Sequence, residues 1–175
     1  IVIENKGRVY LAKDCRLNST NFRKMYSDAL PEWESVRKRY NFNNKNKTDM
    51  KRIINTSNAP KPIGPYNQAV ISGDLMFISG QVAFDPNTDE LVLDDIQTET
   101  KQVMENLKSI LEEANLSFKD VVKTTIFLSD MNDFQQVNEV YGSYFSNDQA
   151  PARETVEVSR LPKDVNVEIS MIAYK

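Results

Sequence analysis

An arginine and a glutamate stand close together near the end of this 175-residue chain, in a sequence that contains no histidine. The stretch Pro151-Ala152-Arg153-Glu154-Thr155-Val156-Glu157-Val158 is followed by Leu161-Pro162 and by Val165-Asn166-Val167-Glu168-Ile169. Its alternation reads as two short strands joined by a turn. Val156 and Val158 then share one face, and Arg153, Thr155 and Glu157 the other. With the turn over 159–164, Val158 pairs with Val165, Thr155 lies opposite Glu168, and Arg153 opposite Ser170. Arg153 and Glu168 become diagonal neighbours on the face the helices do not cover. A guanidinium grips a carboxylate through two parallel charge-assisted hydrogen bonds. A carboxylate can take a proton from water. The pair predicts a site that holds a small carboxylate and moves water with neither metal nor imidazole. Taken alone, it reads more readily as an ordinary cross-strand ion pair worth under ~1 kcal/mol.

Composition removes other chemistries. Without histidine there is no Ser-His-Asp triad and no His-ligated metal. A single cysteine, Cys15, allows no internal disulfide and no cysteine cluster. The five glycines form no phosphate-binding loop. The expectation is a site without metal. No apolar run approaches the ~20 residues of a membrane helix, and no signal peptide is visible. A cytoplasmic protein is expected. Ile1 stands where a start methionine would, so the true start is expected elsewhere.

Charge divides the chain. Residues 1–50 carry eleven Lys/Arg and six Asp/Glu, a balance of +5, whereas residues 51–175 carry eleven and nineteen, a balance of −8. The polar run Asn41-Phe42-Asn43-Asn44-Lys45-Asn46-Lys47 reads as a linker. It predicts an N-terminal appendage over 1–49, partly helical across 19–40, and a main domain over 50–175 beginning at Met50.

The elements that must position the pair follow from periodicity. Arg52-Ile53-Ile54 is a short strand. Strands over 69–71 and 75–78 join through Ser72-Gly73-Asp74, a tight hairpin turn. Ile96, Thr100, Val103, Leu107, Ile110 and Ala114 form one stripe of a helix over 94–114. Asp94 with Gln97 has capping-box spacing, and Asn115 suits the left-handed position after the helix. The β-branched run 121–128 is a buried strand. Asn132 with Gln135 opens a second helix through Phe134, Val137, Tyr141 and Phe145. This order predicts an α+β fold, a mixed sheet with both helices on one face.

From Met50 onward the motifs Ile63-Gly64-Pro65-Tyr66, Ser79-Gly80-Gln81, Val122-Lys123-Thr124-Thr125, Asp133-Phe134 with Val137-Asn138, Pro151-Ala152-Arg153, Leu161-Pro162-Lys163-Asp164 and Val167-Glu168-Ile169 come in sequence. Together they closely resemble the Rid family of reactive-intermediate deaminases, also known as L-PSP endoribonucleases. The resemblance implies a chorismate-mutase-like homotrimer with sites between subunits. It also implies cofactor-free hydrolysis of 2-iminopropanoate and 2-iminobutanoate to 2-keto acids and ammonia. By resemblance, Arg153 grips the substrate carboxylate and Glu168 orients water. Tyr66 lines the pocket, Ser79 and Gly80 offer backbone contacts, and Asn138 braces the site. Thr155 stands where many active members carry cysteine, which bears on substrate range.

Residues 1–49 resemble the C-terminal end of FAD-linked oxidases of the vanillyl-alcohol-oxidase type, through 7–17, 22–26 and Pro31-Glu32-Trp33. Tyr10 and Lys13 match residues near flavin there. The flavin-binding part is missing, so no role carries over. Two other functions compete with the deaminase: a non-catalytic binding trimer of the same fold, and an RNA-acting protein. The balance of −8 over 51–175 gives no footprint for phosphates, so nucleic acid is not expected as a partner.

Overall fold

The structure, a computed structural model, describes residues 2–5, 8–11, 51–146 and 148–175. The chain divides into two units, Ile1–Lys47 and Thr48–Lys175. In the first, strands β1 (Val2–Asn5) and β2 (Arg8–Leu11) pair antiparallel, with Val2 opposite Leu11. The helices expected across 19–40, and Lys13, lie outside the described residues.

The second unit opens with β3 (Arg52–Ile54), β4 (Ala69–Ser72) and β5 (Leu75–Gln81). Gly73, at φ 60°, supplies the positive φ that lets β4 turn directly into β5. A small ribbon of β6 (Phe84–Asp85) and β7 (Glu90–Leu91) follows. Then come α1 (Ile96–Glu113), β8 (Val121–Leu128), α2 (Phe134–Gly142), β9 (Ala152–Glu157) and β10 (Val167–Tyr174). The main sheet has six strands in the order β3-β4-β5-β10-β8-β9. Both helices cover one of its faces, the expected α+β architecture.

The predicted stripe of α1 is the core. Thr100, Val103, Leu107, Ile110 and Ala114 are buried, packed with Met76 and Ile78 of β5 and Ile169 and Met171 of β10. Truncating Leu107 to alanine costs about 2–5 kcal/mol, because a dry cavity replaces its contacts. The cap falls one residue later than the spacing predicts. Asp95, not Asp94, accepts from the Thr98 amide at 2.7 Å. Asn115 ends the helix at φ 59°, as expected. Ahead of the second helix, Asp130 rather than Asn132 supplies a capping side chain, but to the turn that precedes the helix, accepting from the Asn132 amide at 2.8 Å, while Asp133 at the helix start makes no side-chain capping bond. A 3-10 turn over Met131–Asp133 leads into α2. Buried Glu99 of α1 accepts from the Asn166 amide at 2.7 Å, the Asn166 side chain at 2.8 Å and the Val167 amide at 3.2 Å. A buried carboxylate satisfied this way fastens the start of α1 to the start of β10.

The expected hairpin of β9 and β10 does not form. β9 pairs parallel with β8, Thr124 opposite Arg153 and Ile126 opposite Thr155. β10 lies antiparallel between β5 and β8, with Glu168 opposite Phe127. The chain from β9 to β10 instead straddles the end of β8. Val158 donates to the Leu128 carbonyl at 2.9 Å, and Ser129 donates to the Asn166 carbonyl at 3.0 Å. Parallel pairing of β8 with β9 needs a crossover, and α2 is that crossover. Among the described residues, no helix is long and apolar enough to cross a membrane.

Candidate functional site

Register decides which face each side chain takes. Thr124, Ile126 and Leu128 are buried beneath the helices. Their partners on β9 share that face, namely Arg153, Thr155 and Glu157. Arg153 therefore points toward α2, where its Nη1 donates to Asn138 Oδ1 at 2.6 Å. Its guanidinium carbon lies 5.1 Å from the Tyr141 ring centroid and 5.7 Å from that of Phe134, within cation–π reach. The Tyr141 ring is fixed in turn, because its hydroxyl is bonded to Thr124 Oγ1 at 3.2 Å. Burial pushes that phenol's pKa up, so it stays protonated. Arg153 has no carboxylate partner among the described residues. Two residues on, Thr155 Oγ1 is buried and has no hydrogen-bond partner among them.

Glu168 takes the opposite face, because Val167 and Ile169 on either side of it are core. The expected diagonal contact between Arg153 and Glu168 is therefore absent within one chain. β8 lies between their strands, and the two side chains leave the sheet in opposite directions. Glu168 sits beside a break in the ladder. Ile169 pairs with Gln81 and Met171 with Ile78, so Ser79 and Gly80 together oppose the single Ser170. This is a β-bulge, which bends a strand and re-aims its residues. It lays the Gly80 backbone against the Glu168 carboxylate. A Cβ at position 80 would lie 2.7 Å from Glu168 Cδ and 3.0 Å from Cγ, with Oε1 closer still. Only glycine allows that approach.

Glu168 is half-buried and accepts no hydrogen bond among the described residues. Burial pushes its pKa above the ordinary glutamate value of 4.5. The carboxylate opens into a cleft of about 430 Å³, lined by Tyr66, Ser79, Gly80 and Glu168 together with Lys61 and Lys163. Ser79 is held by both its groups, Oγ donating to the Asn67 carbonyl at 2.7 Å and N to the Gln68 carbonyl at 2.9 Å. Tyr66 is largely exposed, and its hydroxyl accepts from the Ile63 amide at 3.4 Å.

The predicted residues thus fall into two groups. Arg153, Asn138 and Thr155 stand together on the helix side of the sheet. Glu168, Tyr66, Ser79 and Gly80 stand together on the open side. Sequence reasoning missed Lys61 and Lys163 in the second group. It also missed the bracing of Arg153 by Phe134 and Tyr141, for which it gave only a place on the second helix. Three-residue spacing from Phe134 to Val137 and four-residue spacing from Val137 to Tyr141 was the available signal.

The open face is strongly apolar. Across it, the register lines up Ile53, Val70, Phe77 and Ile172. Ile53 is 53% and Phe77 45% exposed, although such side chains are normally covered. The other acid on this face is already engaged. Glu154 accepts from Thr125 Oγ1 at 2.6 Å and is paired with Lys123, which holds its pKa below the usual carboxylate range. A groove of about 440 Å³ beside α1 and α2, lined by Gln97, Lys101, Glu139 and Ser143 among others, contains none of the predicted residues.

Comparison with known proteins adds the family. The sequence model described as endoribonuclease L-PSP matches residues 56–175. A RutC family protein of Pyrococcus horikoshii is 58% identical over 126 residues, covering 72% of this chain and 99% of the relative. The 2-iminobutanoate/2-iminopropanoate deaminase of Salmonella typhimurium is 47% identical over 128 residues, again 72% of this chain and 99% of the relative. A crystal structure of E. coli TdcF with bound serine is 45% identical and superposes with a TM-score of 0.67, covering 71% of this chain and 98% of that one. The family match begins at residue 56, so it lends nothing to the oxidase-like resemblance of residues 1–49.

Proposed function

The chain belongs to the endoribonuclease L-PSP family, which includes the RutC and Rid proteins, and on that premise we propose that it hydrolyses small 2-imino acids to 2-keto acids and ammonia. The observation that carries this reading is Glu168. It is a half-buried carboxylate without a partner among the described residues, and its raised pKa suits it to take a proton from water. Glu154, the neighbouring acid, is tied down by Lys123 and Thr125 and is not a candidate base.

In the proposed reaction, water enters the cleft beside Glu168 and adds to the imine carbon. Glu168 accepts one of its protons. That proton passes to the nitrogen to give a neutral carbinolamine; Glu168 then carries the hydroxyl proton to the amino group, the C–N bond breaks, and ammonia leaves as the carbonyl forms. The substrate carboxylate is held by an arginine fork. A guanidinium has five N–H donors, and Asn138 uses one group of the Arg153 fork, leaving others for a ligand. Imines hydrolyse unaided, so positioning plus one base suffices for acceleration.

Arg153 and Glu168 of one chain face opposite ways, so this reading requires the arginine of a second copy. Assembly as a homotrimer with sites between subunits meets that need, and it would cover the exposed row from Ile53 to Ile172. The unpartnered Thr155 hydroxyl would find its bond at the same junction. The serine bound in TdcF carries the same α-carboxylate that the proposed substrate would present.

The test is keto-acid release from 2-iminopropanoate generated in situ by an amino-acid oxidase. Wild type is expected to exceed the spontaneous rate, and Glu168→Gln and Arg153→Lys to fall to it. A wild type no faster than the spontaneous reaction would leave the non-catalytic binding trimer as the function.

A further inference from the structure

The Glu168 cleft carries more positive charge than hydrolysis of a simple imino acid uses. Lys61 and Lys163 line it beside the single acid Glu168. Neither lysine has a carboxylate partner among the described residues. For Lys163 the reason is visible. Its sequence neighbour Asp164 is taken by Arg160, whose Nε and Nη2 donate to the two carboxylate oxygens at 2.6 and 3.0 Å. Lys163 and Asp164 adopt φ values of 62° and 57°, which non-glycine residues rarely take, at the cleft rim.

Lys61 stands on an equally fixed support. Gln68 is buried, and its side-chain amide donates to the carbonyls of Thr56, Ala59 and Pro60 at 3.0, 3.1 and 2.8 Å. Its carbonyl oxygen accepts from the Thr56 amide at 2.6 Å. One side chain thus staples the segment that leads into Lys61, and prolines flank the lysine on both sides. The ammonium groups are flexible, but their points of attachment are not.

Size points the same way. A three-carbon imino acid has six heavy atoms, which at the ~30 Å³ that liquid water takes would fill at most ~180 Å³. The single copy's cleft of about 430 Å³ exceeds this, and the second copy that brings Arg153 would take up part of the difference. Another anionic group is what the remaining space and the two lysines together would hold.

We infer that the Glu168 cleft takes imino acids bearing a second carboxylate, with Lys61 and Lys163 binding the distal group. This rests on the deaminase reading, in which the second copy's Arg153 holds the α-carboxylate. Lysine suits the distal role, because a compact ammonium on a flexible stem can follow chains of differing length.

The test compares 2-iminosuccinate with 2-iminopropanoate, each generated in situ by an amino-acid oxidase, on the full chain. The quantity read is the ratio of kcat/KM for the dianion to that for the monoanion. It is expected to fall about tenfold in Lys61→Ala and in Lys163→Ala, through KM, and to recover in Lys61→Arg. An unchanged ratio in both alanine variants overturns the inference. So does a wild type that hydrolyses 2-iminopropanoate but not 2-iminosuccinate, and in that outcome the deaminase reading stands. If neither imine is hydrolysed the deaminase reading fails, and calorimetry with oxaloacetate and pyruvate then decides the subsite. Tighter oxaloacetate binding that is lost in Lys61→Ala upholds it, and equal binding of the two acids overturns it.

Discussion

Arg153 and Glu168 belong to one sheet, yet they are held in opposite ways. Arg153 lies on the edge strand β9, is exposed, and is braced from α2 by one hydrogen bond and two aromatic faces. Glu168 lies on the interior strand β10, is half-buried, and rests on a glycine in a bulged ladder without any partner among the described residues. A cation that must grip an anion works while hydrated and needs only aim, so a surface position with light bracing serves it. A carboxylate proposed to act as a base gains a higher pKa by losing water, and the interior strand β10 gives Glu168 that burial. The sheet places the two groups on opposite faces, where only a second copy could bring such groups together.

The contrast is broken or upheld most sharply by mixing. Arg153→Ala and Glu168→Gln chains are each expected to be inactive alone. Co-expressed, they should form mixed assemblies in which about a quarter of the sites pair an intact arginine with an intact glutamate. Recovery of keto-acid release to roughly that level is expected, and none at all would mean that both groups serve from the same copy.

Gly80→Ala probes the Glu168 side. Its methyl group would displace the carboxylate, and a shift of ~1 Å at a reacting group costs about a hundredfold in kcat. A variant retaining full kcat would mean that the close approach is irrelevant. Asn138→Ala probes the arginine side. Loss of one brace is expected to raise KM by about threefold to tenfold while leaving kcat nearly unchanged, since charge-assisted bonds at exposed positions are modest.

The smallest effect is a shift in pH dependence. As the proposed base, Glu168 must be ionised to act, and burial raises its pKa, so kcat/KM should begin to fall on the acid side above the ordinary 4.5. The same shift penalises the folded state near neutral pH and is relieved as pH drops through the raised value. Glu168→Gln should therefore unfold at a higher temperature than wild type at pH 7, and the difference should shrink in acid. Equal melting at both pH values would show that burial of this group costs nothing.

The helices and the fold class were legible because the stripe from Thr100 to Ala114 repeats over several turns. The cap was misplaced by one residue because Asp94 and Asp95 are adjacent and spacing alone does not choose between them. Strand partners were far less legible. The short link over 158–166 resembles a hairpin loop, and no local pattern announces that β8 will lie between its ends. The strand-helix-strand run from β8 through α2 to β9 was the available sign of parallel pairing. Residue types at the site were readable, whereas their grouping was not, since Arg153 and Glu168 take their faces from registers set by other strands. Lys61 went unnoticed because its place depends on a staple from Gln68, seven residues further on.

The position of β10 has a consequence for how the molecule comes into being. It follows every other strand of the sheet along the chain, yet it sits between β5 and β8 and bonds to both. During synthesis, β3-β4-β5 and β8-β9 must wait as two fragments with open edges until residue 174 has left the ribosome. Such edges are templates for wrong pairing. A nascent chain stalled a few residues short should be held by chaperones or lost to aggregation.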